Sequence, residues 1–244
     1  MNSLVKVARY HMVQPFTLTL TPWANLVFAF LVCLVVFRMV PVGHHDVLTA
    51  NGLASVPDTS GRWTGAVAAI FGTFLAVSIQ CIGRAMPFAL TLGVSRRSYY
   101  AGTALLGAGL AFVYAGALTA LQAIERATDG WGVQMSFFRV PYILEGPWYV
   151  TWLTCFVGLA LVFVYGMWHG IVYRRWGLPG STAFIAAQIL VALVAAVAVT
   201  WSHAWPSVGG FFTSLTALGF TGVLAVLAVA LVAGGQATIR RAVV

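Results

Sequence analysis

Apolar residues fall into six long runs along this chain, at 23–40, 64–82, 101–124, 148–170, 182–201 and 208–233, separated by short polar or basic segments. Crossing a hydrocarbon core of about 30 Å takes roughly 20 helical residues, so each run predicts a membrane-spanning helix. The connections leave no room for a soluble domain, and 1–244 reads as a single transmembrane domain. The first run is preceded by more than twenty residues and no small-x-small cleavage site follows it, so it is expected to stay as a span. Ahead of it, residues 3–14 interleave Leu4, Val5, Val7 and Met12 with Lys6, Arg9 and His11. That pattern predicts an amphipathic elbow helix lying in the interface.

Composition agrees with the pattern. The chain is 61% apolar and 7% charged, against about 25% charged residues in a soluble domain. The fold class expected is an all-α integral membrane protein. A formal charge of +8 comes from twelve Arg and one Lys against five acids. Without a Lys/Arg-dense patch this excess points to topology, and no nucleic acid is expected as partner. The three cysteines, Cys33, Cys81 and Cys155, each sit in an apolar stretch and read as free thiols packed as small hydrophobes.

Orientation follows from the bases of the short loops. With the N-terminus inside, the inner segments hold Lys6, Arg9, Arg84, Arg96, Arg97, Arg174, Arg175, Arg240 and Arg241. The outer segments then hold Arg38, Arg62, Arg126 and Arg139 together with all five acids, Asp46, Asp58, Glu125, Asp129 and Glu145. Both termini are therefore predicted to be cytoplasmic. Eight of the nine tryptophans lie near predicted span ends, at the depth where amphipathic rings gather.

The spans are poor in chemistry. No ionisable residue lies in the central part of any run, and a buried ionisable group is the usual mark of a proton or ion pathway. Haem between two spans needs histidines facing each other at matching depth. His169 near the inner end and His203 near the outer do not offer that, so a haem-binding protein is kept as a lesser alternative. His44 and His45 with Asp46 share a solvated loop, and no metal site is assigned. Gln80, Tyr114, Gln122 and Gln188 are the neutral polar residues to consider for a substrate path, with Tyr165 beside them. Helix-to-helix glue is the competing role of such groups. Gly107, Ala111, Ala115 and Thr119 put small residues at every fourth position of the third span, which lets another helix approach closely.

The connection between the second and third spans, GRAMPFALTLGVSRRSYYAGT, carries the most information. Pro87 suits a first helical turn, Phe88 to Leu92 continue it, and Gly93 is placed to end it. Ser95 then offers an N-cap for the next helix. The short helix is expected to expose Phe88, Leu90 and Leu92. Arg96 and Arg97 stand in a first helical turn, where cations oppose the helix dipole. Docking to an acidic cytoplasmic partner is one reason for their placement, and positive-inside topology is the other.

At these residues the chain resembles the permease subunits of bacterial ABC transporters of the type-2 exporter class, especially small actinobacterial ones. PFALTLGVSRRSYYAGT is similar to their cytoplasmic coupling region, and YGMWHGIVYRRWG and the terminal ATIRRAVV are similar to their other inner stretches. The resemblance implies that Pro87, Phe88, Leu90, Leu92, Gly93 and Ser95, with Arg96 and Arg97, contact an ATPase subunit. It further implies a second permease copy or a homologous permease, hence a dimer, in the bacterial cytoplasmic (inner) membrane. One departure is the very short last outer loop, 203–207, although WPSVGGFFTSL offers a break near the outer face.

Transport against a gradient needs a power source, and the P-loop that would supply one, GxxxxGK[ST], is not in this sequence. The only lysine is Lys6, in a segment without glycine. ATP and Mg are therefore expected in a partner chain, with no cofactor in this one and no catalytic residue. The expected function is the membrane permease of an ABC exporter for a lipophilic or amphipathic substrate. A non-transport assembly or sensory subunit holding a cytoplasmic partner is the alternative.

Overall fold

A computed structural model of the chain describes residues 20–39, 68–140 and 146–241. The predicted elbow at 3–14, the His44, His45 and Asp46 loop and the ends of the first two runs lie outside them. The described residues are helical almost throughout. They form α1 (Thr21–Met39), α2 (Ala68–Gln80), α3 (Met86–Thr91), α4 (Arg96–Ala127), α5 (Trp148–Trp201), α6 (Trp205–Ser214) and α7 (Ala217–Arg241). Four stretches are long and apolar enough to cross a membrane: Ala68–Thr91, Arg96–Ala127, Trp148–Trp201 and Ala217–Gln236; α1 is a shorter apolar helix.

The helices depart from the apolar runs in three places. The second run does not stop before the short helix. Instead α2 passes through one wide π-helical turn, Cys81–Ala85, straight into α3. There the Cys81 carbonyl accepts the Tyr99 hydroxyl at 2.6 Å, tying the turn to the start of α4. The fourth and fifth runs are joined in α5 and break only at Gly177, whose φ of 65° and ψ of −158° leave the helical region two residues before Pro179. Proline there has no amide to donate and its ring crowds the preceding turn. The two arms fold back on each other. The Tyr165 hydroxyl donates to Gln188 Oε1, and Phe184 meets His169 at 5.0 Å and Trp168 at 6.2 Å between ring centroids. Lastly, the run at 208–233 is not one helix. Residues up to Ser214 belong to α6, Leu215 is extended at ψ 120°, and α7 starts at Ala217.

The first arm of α5 is the centre of the bundle, with α2, α4 and α7 packed around it and α1 laid on α2. Its interface with α2 is built on glycine. A Cβ at Gly166 would run into Ser78 Oγ and lie 2.8 Å from the Leu75 carbonyl; one at Gly170 would lie 2.7 Å from Ile82 Cβ. This G-x-x-x-G pair lets two backbones approach closely where apolar burial alone gives no drive, since lipid tails are as apolar as the side chains. The small stripe of α4 works in the same way within the chain: Gly107 leaves room for the Phe163 ring of α5, and Ala111 and Ala115 are fully buried. The arm after Gly177 contributes little to the core, and its Ile189, Leu190, Val191, Leu193 and Val194 stand exposed. That surface suits contact with lipid.

Candidate functional site

Two places combine shape with chemistry, one at each end of α2. The first is α3 and its exit. Leu92 leaves the helix, Gly93 takes φ +78°, and its amide donates to the Leu90 carbonyl at 3.0 Å. A side chain in that backbone region is strained, and glycine removes the penalty. Ser95 then caps α4, its hydroxyl oxygen accepting from the Ser98 amide at 3.2 Å. Phe88 and Leu92 are 54% and 62% exposed. Leu90, expected to be exposed with them, instead packs partly against the core beside buried Met86 and Ala89. On a helix of this length, positions 86, 89 and 90 face the bundle and 88 and 92 face away.

Around the exposed pair lie arginines. Arg84 and Arg97 are exposed and Arg96 is half-buried. The elbow of α5 adjoins them, since Arg174 Nη1 reaches toward the Gly83 carbonyl at 3.5 Å. Arg175 stacks over the Trp176 ring at 4.7 Å, and Trp176 and Leu178 are themselves exposed. The result is a basic surface carrying apolar knobs, with no acid among the described residues of 81–97 or 173–178.

The second place is the other end of the bundle. After α4 the chain turns sharply, with Asp129, Gly130, Trp131 and Gly132 all at positive φ. The hook that follows folds back under the last turn of α4 and covers Glu125. Expected among the outer loop acids, Glu125 is 1% exposed. Its Oε2 accepts from Trp131 Nε1 at 3.2 Å and from the Phe137 and Phe138 amides at 3.0 Å each, while Oε1 is buried without a partner among the described residues. Phe30 of α1 presses on the hook, edge-on to Trp131 and Phe137 and stacked on Phe138.

Below the hook lies a partly open cleft of about 220 Å³, walled by Leu118 and Gln122 of α4, Thr151, Cys155 and Gly158 of α5, and Leu224 of α7. Phe71 of α2 and Phe138 of the hook also face it. Its lining is overwhelmingly apolar. Thr154 and Thr221 share a hydrogen bond of 2.7 Å across the wall, whereas the Thr151 hydroxyl is buried and makes no hydrogen bond among the described residues.

The four polar residues considered for a path are not brought together. Gln122 lines the cleft, and Tyr114 is buried in the core against Trp23 and Phe74. Gln188 is bonded to Tyr165, and Gln80 is exposed at the end of α2. His169 is held by its own helix, Nδ1 lying 3.2 Å from the Tyr165 carbonyl, and no group of three potential metal ligands occurs among the described residues. Glu125, Thr151 and the Gly166 and Gly170 pair were not singled out by sequence reasoning. The glycine spacing was readable as G-x-x-x-G, but nothing local marked the other two. Compared with protein-family models, curated proteins and solved structures, the chain matches none.

Proposed function

We propose that this chain is the permease subunit of an ABC exporter in a bacterial cytoplasmic membrane, moving a lipophilic or amphipathic substrate with ATP hydrolysed by a separate ATPase chain. The observation that carries the reading is α3. It ends the continuous helix that α2 begins, ahead of the long apolar α4, is stopped by Gly93 at φ +78° and presents Phe88 and Leu92 outward beside Arg84 and Arg97. Apolar knobs on a basic rim suit insertion into a cleft with an acidic border, where desolvated anchors supply affinity and the charges steer encounter. In this reading α1, α2, α4, the two arms of α5 and α7 are six spans with both termini inside, and α6 lies at the outer face. A second permease copy completes the assembly.

The test is affinity isolation of the tagged chain from its native membrane, comparing wild type with a Leu92→Asp, Arg97→Glu double variant and assaying vanadate-sensitive ATP hydrolysis. An ATPase chain that accompanies wild type and is lost with the variant supports the proposal. If no ATPase accompanies wild type in a complex kept intact, the permease reading fails. A companion ATPase whose turnover no lipid or lipophilic compound stimulates indicates the assembly or sensory role instead.

A further inference from the structure

We infer that the cleft beneath the hook is a binding site for one acyl chain of a bilayer phospholipid, whose ester carbonyl accepts a hydrogen bond from Thr151. Independently of the permease reading, three observations converge on this occupant: the depth of the cleft, its lining and one idle hydroxyl.

Depth comes from α5. The helix starts at Trp148, which with Tyr149, Trp201 and Trp205 is exposed at this end of the bundle, as an aromatic belt at headgroup level requires. Thr151 lies three residues further in and Gly158 ten, about 4.5 and 15 Å along the helix axis. The half-thickness of the hydrocarbon core is also about 15 Å. The cleft thus runs from the level of the lipid esters to the middle of the bilayer, along the direction an acyl chain takes.

The lining matches a hydrocarbon. Phe71, Leu118, Cys155, Gly158 and Leu224 form the deeper walls, and Gly158 keeps the wall clear, a Cβ there standing 3.3 Å from the Phe71 ring. An apolar cavity of about 150 Å³ holds benzene and stays dry, so 220 Å³ holds about nine methylene-sized atoms. That is the upper half of an ordinary acyl chain.

The polar requirement is met once. Thr154 lies within hydrogen-bond reach of the Val150 carbonyl at 2.9 Å and Thr221 of the Ala217 carbonyl at 2.7 Å; one of the two donates to its carbonyl, as hydroxyls inside membrane helices commonly do, and accepts from the other. Thr151 is 1% exposed, lines the cleft and has no such partner among the described residues. A buried unpaired hydroxyl is costly. An ester oxygen at the mouth of the cleft satisfies it once the Thr151 side chain turns about χ1 from the buried rotamer, and a hydrocarbon alone does not.

The experiment uses the full chain in nanodiscs of a phosphatidylcholine carrying a diazirine about nine carbons below the ester, followed by photolysis and peptide mapping. Labelling is expected to concentrate on residues 151–158 and 220–224, above that of the exposed arm at 185–197. Gly158→Leu fills the cleft and is expected to remove the excess while leaving the 185–197 label unchanged. Thr151→Val, close to the native shape and so keeping the fold, lowers cleft labelling about fivefold, the worth of one hydrogen bond. An ether-linked analogue without the carbonyl gives that lower level with either residue. Cleft labelling no stronger than on the arm, or undiminished in a Gly158→Leu protein that elutes as wild type, overturns the proposal. So does equal loss on Thr151→Val for ester and ether lipids, or recovery from the washed protein of a non-lipid apolar compound in place of phospholipid.

Discussion

Removing the acceptor under the hook isolates what Glu125 contributes. In Glu125→Ala, the Phe137 and Phe138 amides and the Trp131 indole lose their common partner. Both amides belong to buried residues, so water cannot replace the carboxyl oxygen without the hook opening. Each buried donor left unsatisfied costs about 1–3 kcal/mol, and the two amides together cost about 4 kcal/mol. At 1.4 kcal/mol per factor of ten, that is an increase of about a thousandfold in the population of the open hook. Hydrogen exchange at the Phe137 and Phe138 amides reads this opening directly. The expected result is loss of protection by about that factor there, with α7 unchanged, while Glu125→Gln, which keeps an oxygen in place, loses only about tenfold. If the two amides in Glu125→Ala exchange within about threefold of wild type, the hook is held by the Phe30 aromatic contacts and the hydrogen-bond argument is wrong.

Other expectations concern the helix contacts. Gly166→Ala forces a methyl onto Ser78 and the Leu75 carbonyl and should cost about 1–3 kcal/mol, measured as resistance to denaturant in mixed micelles. Gly72→Ala, where nothing among the described residues lies within 4 Å, should be neutral or stabilising, and equal effects at the two sites would contradict the packing described. A double-mutant cycle on Tyr165→Phe and Gln188→Leu should give a coupling of about 0.6–1.7 kcal/mol, the range for hydrogen bonds between membrane helices; zero coupling would detach the second arm of α5 from that bond. Ser95→Ala should lower stability by about 1 kcal/mol through the lost cap and speed exchange of the Ser98 amide, whereas Ser95→Asp should restore both.

What was readable in the sequence was mostly local. Gly93 and Ser95 mark the end of one helix and the start of the next by backbone and capping chemistry, which neighbouring residues alone decide. Long apolar runs mark long apolar helices for the same reason. The break at Leu215 escaped because hydropathy measures composition, and Leu215 is as apolar as the helices it separates. Gly177 and Pro179 were visible, yet the arms they join meet through Tyr165, Phe184 and Gln188, a pairing that only the folded hairpin creates. Glu125 follows the last residue of an apolar run and so reads as part of an outer loop. Its burial depends on residues up to thirteen positions away returning through four consecutive positive φ angles, and although Asp129-Gly130 is a turn signal, a turn signal does not say what the returning chain will cover. The inward turn of Leu90 is not legible because a six-residue helix is too short for its apolar periodicity to define an inward face.

The wide turn at Cys81–Ala85 has a mechanical consequence. Because α2 enters α3 without a loop, the surface bearing Phe88 and the wall bearing Phe71 belong to one rod. Their seventeen-residue separation corresponds to about 25 Å of helix rise. A push or twist applied at Phe88 is therefore not absorbed by a flexible connector. It passes along the rod, past the close glycine contacts with α5 that serve as its fulcrum, and arrives as a displacement of the Phe71 ring in the cleft.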